Sequence, residues 1–172
     1  MAKLVLKRFR CITQDDDTGS DSPYFIIYVG DIVTGKVQVK RVRQGNWHNE
    51  VDGGETWTVN ETVAISFSFK NAQTYVLVAC LEEDDDVDIT LQEIEVMEGK
   101  MTSQLQDFAG ATLKKNVRDA IRNKFNSLII NSLGNDDHIQ TKRLSPVTGT
   151  PGELSPLTFQ DSGHYIVRFA IE

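Results

Sequence analysis

At 172 residues, 40% hydrophobic and 25% charged, the chain is long enough for one domain with a sizeable core and cramped for two. Its longest apolar runs, FIIYV (25–29) and SLII (127–130), fall far short of a membrane span, so no transmembrane segment is expected. The net charge of −7 is unevenly held: segments 15–21 and 82–88 carry ten of the 25 acids, and without those ten, 15 acids face 18 bases.

The opening residues MAKLVLKRFR alternate apolar and basic side chains and lack the apolar core of a secretion signal; localisation stays open. Segments 3–12, 24–29, 36–43, 56–69, 74–81, 89–96 and 164–172 are rich in β-branched and aromatic residues and read as strands. In 63–69, Val63, Ile65, Phe67 and Phe69 alternate with small residues, as in a strand with one face in a core. Turn chemistry at 30–31, 34–35, 52–54 and 161–163 separates these runs. Strands this short and this spaced predict a mainly β protein, an antiparallel β-sandwich of about eight strands filling a single domain, 1–172.

One segment breaks the rhythm. Leu113, Val117, Ile121, Phe125 and Leu128 recur at helical spacing, predicting one amphipathic helix near 111–134 whose apolar stripe covers an end or face of the sandwich. Residues 134–160 hold three of the four prolines and read as a long surface loop. Cys11 and Cys80 sit in apolar strand-like segments with no metal or redox spacing, as buried free thiols do. In the basic stretch KVQVKRVR, Lys36 and Lys40 fall on one face and Arg41 and Arg43 on the other. No aromatics interleave with these bases, so a nucleic-acid partner is not expected. His48, His138 and His164 are scattered singly, and no phosphate loop or nucleophile elbow accompanies the acids, so the chain reads as no enzyme.

The acids Asp15, Asp16, Asp17 and Asp21 follow the first apolar run, and Glu82, Glu83, Asp84, Asp85, Asp86 and Asp88 follow the run TYVLVACL. Two carboxylate-rich loops at strand ends are either solvated turns or a site for a hard cation that takes six to eight oxygens. Neither loop offers His or Cys at ligand spacing, which favours calcium over zinc.

The first loop resembles that of the C-two family of calcium- and lipid-binding β-sandwiches, which has two aspartates six apart followed by Ser-Asp-Pro-Tyr. Asp15, Gly19, Ser20, Asp21, Pro23 and Tyr24 match it, with Ser22 as an extra residue. Glu82, Asp84, Asp88 and Ile89 are similar to the second loop, shortened and with Glu in first place, and Trp57 with Asn60-Glu61 echoes a Trp-Asn-Glu stretch. The resemblance implies a Ca2+ site built from Asp15, Asp21, Glu82, Asp84, Asp86 and Asp88, and a protein partner or an acidic membrane surface bound through it. The helix and the proline-rich loop depart from the family. They suit the alternative reading, a structural or assembly subunit or effector of a larger particle with no required metal.

Overall fold

The computed structural model describes residues 2–13, 22–43, 51–70, 72–82, 89–134, 136–145, 150–161 and 163–172. Alternating apolar residues build nine strands among them: β1 (Lys3–Thr13), β2 (Pro23–Asp31), β3 (Lys36–Val42), β4 (Thr56–Ile65), β5 (Thr74–Glu82), β6 (Asp137–Arg143), β7 (Gly152–Glu153), β8 (Leu157–Gln160) and β9 (His164–Ile171). One sheet runs β4-β1-β9-β7, with β8 also paired to β9; the other runs β3-β2-β5-β6. Every pairing is antiparallel, so the chain is a β-sandwich.

The core between the sheets is aromatic at its centre. The Phe9 ring lies 5.6 Å from Phe25, 5.5 Å from Trp57 and 5.8 Å from Tyr165, joining four strands of both sheets. Cys11 and Cys80, joined in no disulfide, are fully buried in the same core.

Two helices, α1 (Leu91–Gln106) and α2 (Lys115–Ile130), connect β5 to β6. Ile94, Met97, Met101 and Leu105 of α1, with Val117, Ile121, Phe125 and Ile129 of α2, share an apolar cluster with Tyr24, Ile26, Tyr28, Leu77, Ala79 and Leu81 of the second sheet. That sheet is therefore covered on both faces, and every residue of β2 and β5 is buried. Their near-continuous apolar sequence follows from this double cover.

Four expectations are corrected. Residues 89–96 are not a strand: Thr90 and Glu93 form a capping box, with Thr90 Oγ1 accepting from the Glu93 N–H at 3.2 Å and Glu93 Oε2 from the Thr90 N–H at 2.8 Å. Helical spacing then continues through Met97 and Met101, which the strand-like richness of Ile89, Leu91, Ile94 and Val96 masks. Segment 134–160 is not one long loop but holds β6, β7 and β8. The predicted helix 111–134 is α2, shorter at both ends, and the strand predicted over 56–69 stops at Ile65, because Ser66 takes a φ of 62°.

The basic strand β3 has a structural task. Lys36 Nζ donates to the Ile65 carbonyl at 2.8 Å, Lys40 Nζ to the Thr62 carbonyl at 2.8 Å, and Gln38 Oε1 accepts from the Ile65 N–H. These bonds close one open side of the sandwich, between β3 and β4. On the opposite side Lys142 of β6 donates to the Thr158 carbonyl of β8. Helix α1 also reaches the β3 edge, where Glu98 Oε2 accepts from the Val39 N–H at 2.8 Å.

Candidate functional site

Antiparallel register decides which loops meet. In the β2–β5 pair, Pro23 stands opposite Glu82, and in the β5–β6 pair Glu82 stands opposite Asp137. The chain entering β2, leaving β5 and entering β6 is thus gathered on three adjacent strand ends. In the other sheet, Thr13 at the end of β1 stands opposite His164 at the start of β9. Proline suits the first position of a strand, where no amide donor is needed.

Two carboxylates at this end are buried and held by tyrosines. Tyr165 of β9 donates its hydroxyl across the sandwich to Glu82 Oε1 of β5, and Glu82 is only 9% exposed. Tyr24 of β2 donates to Asp136 Oδ2, just before β6, and Asp136 is 4% exposed. The Tyr24 hydroxyl also takes the Ile89 N–H at a long 3.5 Å, so one phenol ties β2 to the segments before α1 and before β6. Gly163 makes the Tyr165 placement possible: a Cβ there would come within 2.5 Å of the Tyr165 hydroxyl oxygen.

Buried acid alone is no mark of this end. Asp31, 2% exposed at the far end of β2, accepts from the Val33 and Thr34 amides at 2.9 and 3.0 Å and from Gln73 Nε2 at 3.0 Å. It is a turn-former with its oxygens engaged. His138, one residue into β6, places Nε2 2.8 Å from Thr141 Oγ1, and burial lowers its pKa below the ordinary histidine value.

Of the acids expected as calcium ligands, only Glu82 lies among the described residues; Asp15, Asp21, Asp84, Asp86 and Asp88 lie outside them. Among the described residues no group of three or more His, Cys, Asp or Glu side chains stands close enough to hold a metal ion. The oxygen-only chemistry of Glu82 and Asp136 fits a hard cation, and the strand register sets Glu82 between Pro23 and Asp137. Asp136 and Tyr165 were not anticipated from sequence. The Asp136-Asp137 pair, inside a segment read as loop, was the available signal.

No family model matches the chain, and no curated protein matches it. Solved structures similar to it include the following two. The C-two A domain of plant extended synaptotagmin 1 is 7% identical, with 99% of this chain and 92% of that one covered and a TM-score of 0.39. Human GIVD cytosolic phospholipase A2, in complex with an inhibitor and terbium chloride, is 13% identical, with 99% of this chain and 17% of that one covered and a TM-score of 0.37. The sandwich itself rests on its strand order.

Proposed function

We propose that the chain is a non-enzymatic, C-two-like binding module that takes calcium at the end carrying the two acidic loops and engages a protein or an acidic membrane surface there. The observation that supports this best is the Pro23–Glu82 rung: the exit of the first acidic loop and the entrance of the second are paired on neighbouring strands. Acids so gathered repel one another and raise each other's pKa values unless a cation offsets them. Bound calcium would reverse the sign of the local field and offer open positions to phosphate or carboxylate oxygens. Asp15, Asp21, Asp84, Asp86 and Asp88, with Glu82, supply the oxygen donors in this reading. Tyr165 and Tyr24 orient Glu82 and Asp136 from the buried side.

The test is a melting temperature in chelator, in magnesium and in calcium, followed by pelleting with anionic vesicles. Calcium should stabilise the fold by about 2.7 kcal/mol at a hundred times its dissociation constant, and magnesium should substitute poorly. Asp21→Asn and Asp84→Asn should each remove most of that gain. A melting temperature unchanged by calcium would leave the loops as solvated acidic turns.

The alternative, a structural or assembly subunit with no required metal, draws support from the helices. Leu91, Val96 and Ile130 are 65%, 51% and 59% exposed on α1 and α2, an apolar display of the kind that protein interfaces use.

A further inference from the structure

The outer face of the β4-β1-β9 sheet carries a second feature, unrelated to the acidic loops. Arg8, Arg10, Thr56, Ile166 and Arg168 line a surface pocket of about 290 Å3. The three arginines are exposed. Arg8 stands directly opposite Arg168 in the β1–β9 pair, and Arg10 stands between Thr56 of β4 and Ile166 of β9. Two like charges directly opposite on one sheet face destabilise it.

That cost is built in by a bulge. Leu6 is opposite Phe169 and Arg8 is opposite Arg168, so Lys7 is one extra residue in β1. The extra residue inverts the alternation: Leu4 and Leu6 point into the core before it, Phe9 and Cys11 after it. Arg8 and Arg10 are thereby turned outward onto the face that also carries Arg168. Among the described residues none of the three has an ion pair or hydrogen bond to a side chain or carbonyl. Of the nearby acids, Glu172 pairs with Lys7 at 2.9 Å, Glu61 pairs with Lys40 at 2.5 Å, and Glu55 accepts from the Asp52 amide at 3.0 Å, while Glu153 stands opposite Ala170, beside Arg168 on the same face. Three permanent cations therefore share one small pocket in a chain of net charge −7.

We propose that this pocket binds the phosphate group of a small soluble phosphate monoester. Guanidinium forks match phosphate oxygens in pairs, and three of them suit a dianion better than a singly charged carboxylate or diester. The Thr56 hydroxyl adds a further donor, and Ile166 supplies an apolar contact for the group esterified to the phosphate. Threonines flank the arginines, with Thr58 opposite Arg8. That polar, confined setting favours a small ligand over a membrane, which would need a broader basic or apolar surface.

The probe is inorganic phosphate at low ionic strength, followed by the 15N NMR signals of the arginine Nε–Hε groups and by melting temperature. Phosphate should shift the Arg8, Arg10 and Arg168 signals saturably and raise the melting temperature, in chelator as well as in calcium. This independence separates the site from the calcium reading, which can fail without touching it. Arg168→Gln should weaken phosphate binding about tenfold or more, the loss of one charge-assisted fork. Arg168→Lys should recover only part of it, while Lys115→Gln on α2 should change nothing. Because Arg168 is exposed and repelled by Arg8, the apo Arg168→Gln protein should melt no lower than its parent, so lost binding cannot be put down to lost folding. Absence of saturable shifts, or phosphate binding undiminished in Arg168→Gln, would overturn the proposal. So would arginine-dependent binding to phosphatidic acid vesicles without any response to soluble phosphate, which would make the face a membrane surface.

Discussion

Two buried tyrosines show how one hydroxyl holds structure together and another opposes it. Tyr165 donates to the buried Glu82 carboxylate, and a hydrogen bond to a charged group contributes about 1.5–3 kcal/mol. Tyr165→Phe should therefore destabilise the fold by about that much in chemical denaturation, with no change in m-value. The Tyr28 hydroxyl is buried with no hydrogen-bond partner, and burial, with Tyr75 nearby, pushes its pKa far above the ordinary phenol range. Tyr28→Phe removes an unsatisfied group and should be neutral or stabilising by about 1 kcal/mol. His138 gives a pH signature. Its pKa is lowered by burial, so on acidification the unfolded chain takes the proton first. Stability is full above the ordinary histidine pKa of about 6.5 and is lost as the pH falls from there through the lower folded value. His138→Gln should flatten this part of the melting temperature profile below about pH 6.5, leaving the carboxylate contribution in place.

At the scale of elements, the bulge at Lys7 sets the phase of half a strand. Deleting Lys7 would remove the extra residue and leave Leu4 to Arg10 in unbroken register with β9, with Leu4, Leu6, Phe9 and Cys11 still on the core face. The deletion should therefore keep a cooperative thermal transition, and Lys7→Ala, which loses only the exposed pair with Glu172, should cost less than about 1 kcal/mol. The bulge was legible in the sequence as a break in period, Leu4 and Leu6 followed by Phe9 and Cys11. The sandwich was legible for a related reason, since inward residues at period two are a direct imprint of burial. Helix α1 was misread because Leu91 and Val96 are exposed apolar residues that gave the segment a strand-like composition, while the capping box at Thr90 and Glu93 went unweighed. Strand β6 was missed because only Ile139 among its residues is a buried apolar one; its place depends on pairing with β5, which local sequence does not record. The gathering of loop ends at Glu82 was legible only as two acidic runs, because register is a property of the pair of strands. Asp136 and Tyr165 had no local signal of their partnership, each being bonded to a residue more than eighty positions away.

At the scale of the molecule, the sandwich is sealed on both open sides by lysines and roofed on one sheet by α1 and α2, which leaves the arginine-bearing face of the other sheet as its open sheet surface. Met101→Ala, under the roof and fully buried, should cost about 2–5 kcal/mol and loosen the helices from the sheet, seen as faster amide exchange in α1 and α2. The β1–β9 ladder has a consequence for how the chain reaches this state. Lys3 and Glu172 exchange two backbone hydrogen bonds, at 2.7 and 2.9 Å, and β1 forms the centre of its sheet only once the last strand has arrived. Closing contacts so distant along the chain is slow, with folding times of order milliseconds to seconds for sandwiches. Throughout that interval one side of β1 is a bare row of amides and carbonyls, open to any strand that comes first. Refolding yield should accordingly fall as protein concentration rises, because a neighbouring molecule's β9 competes with the chain's own for the same edge.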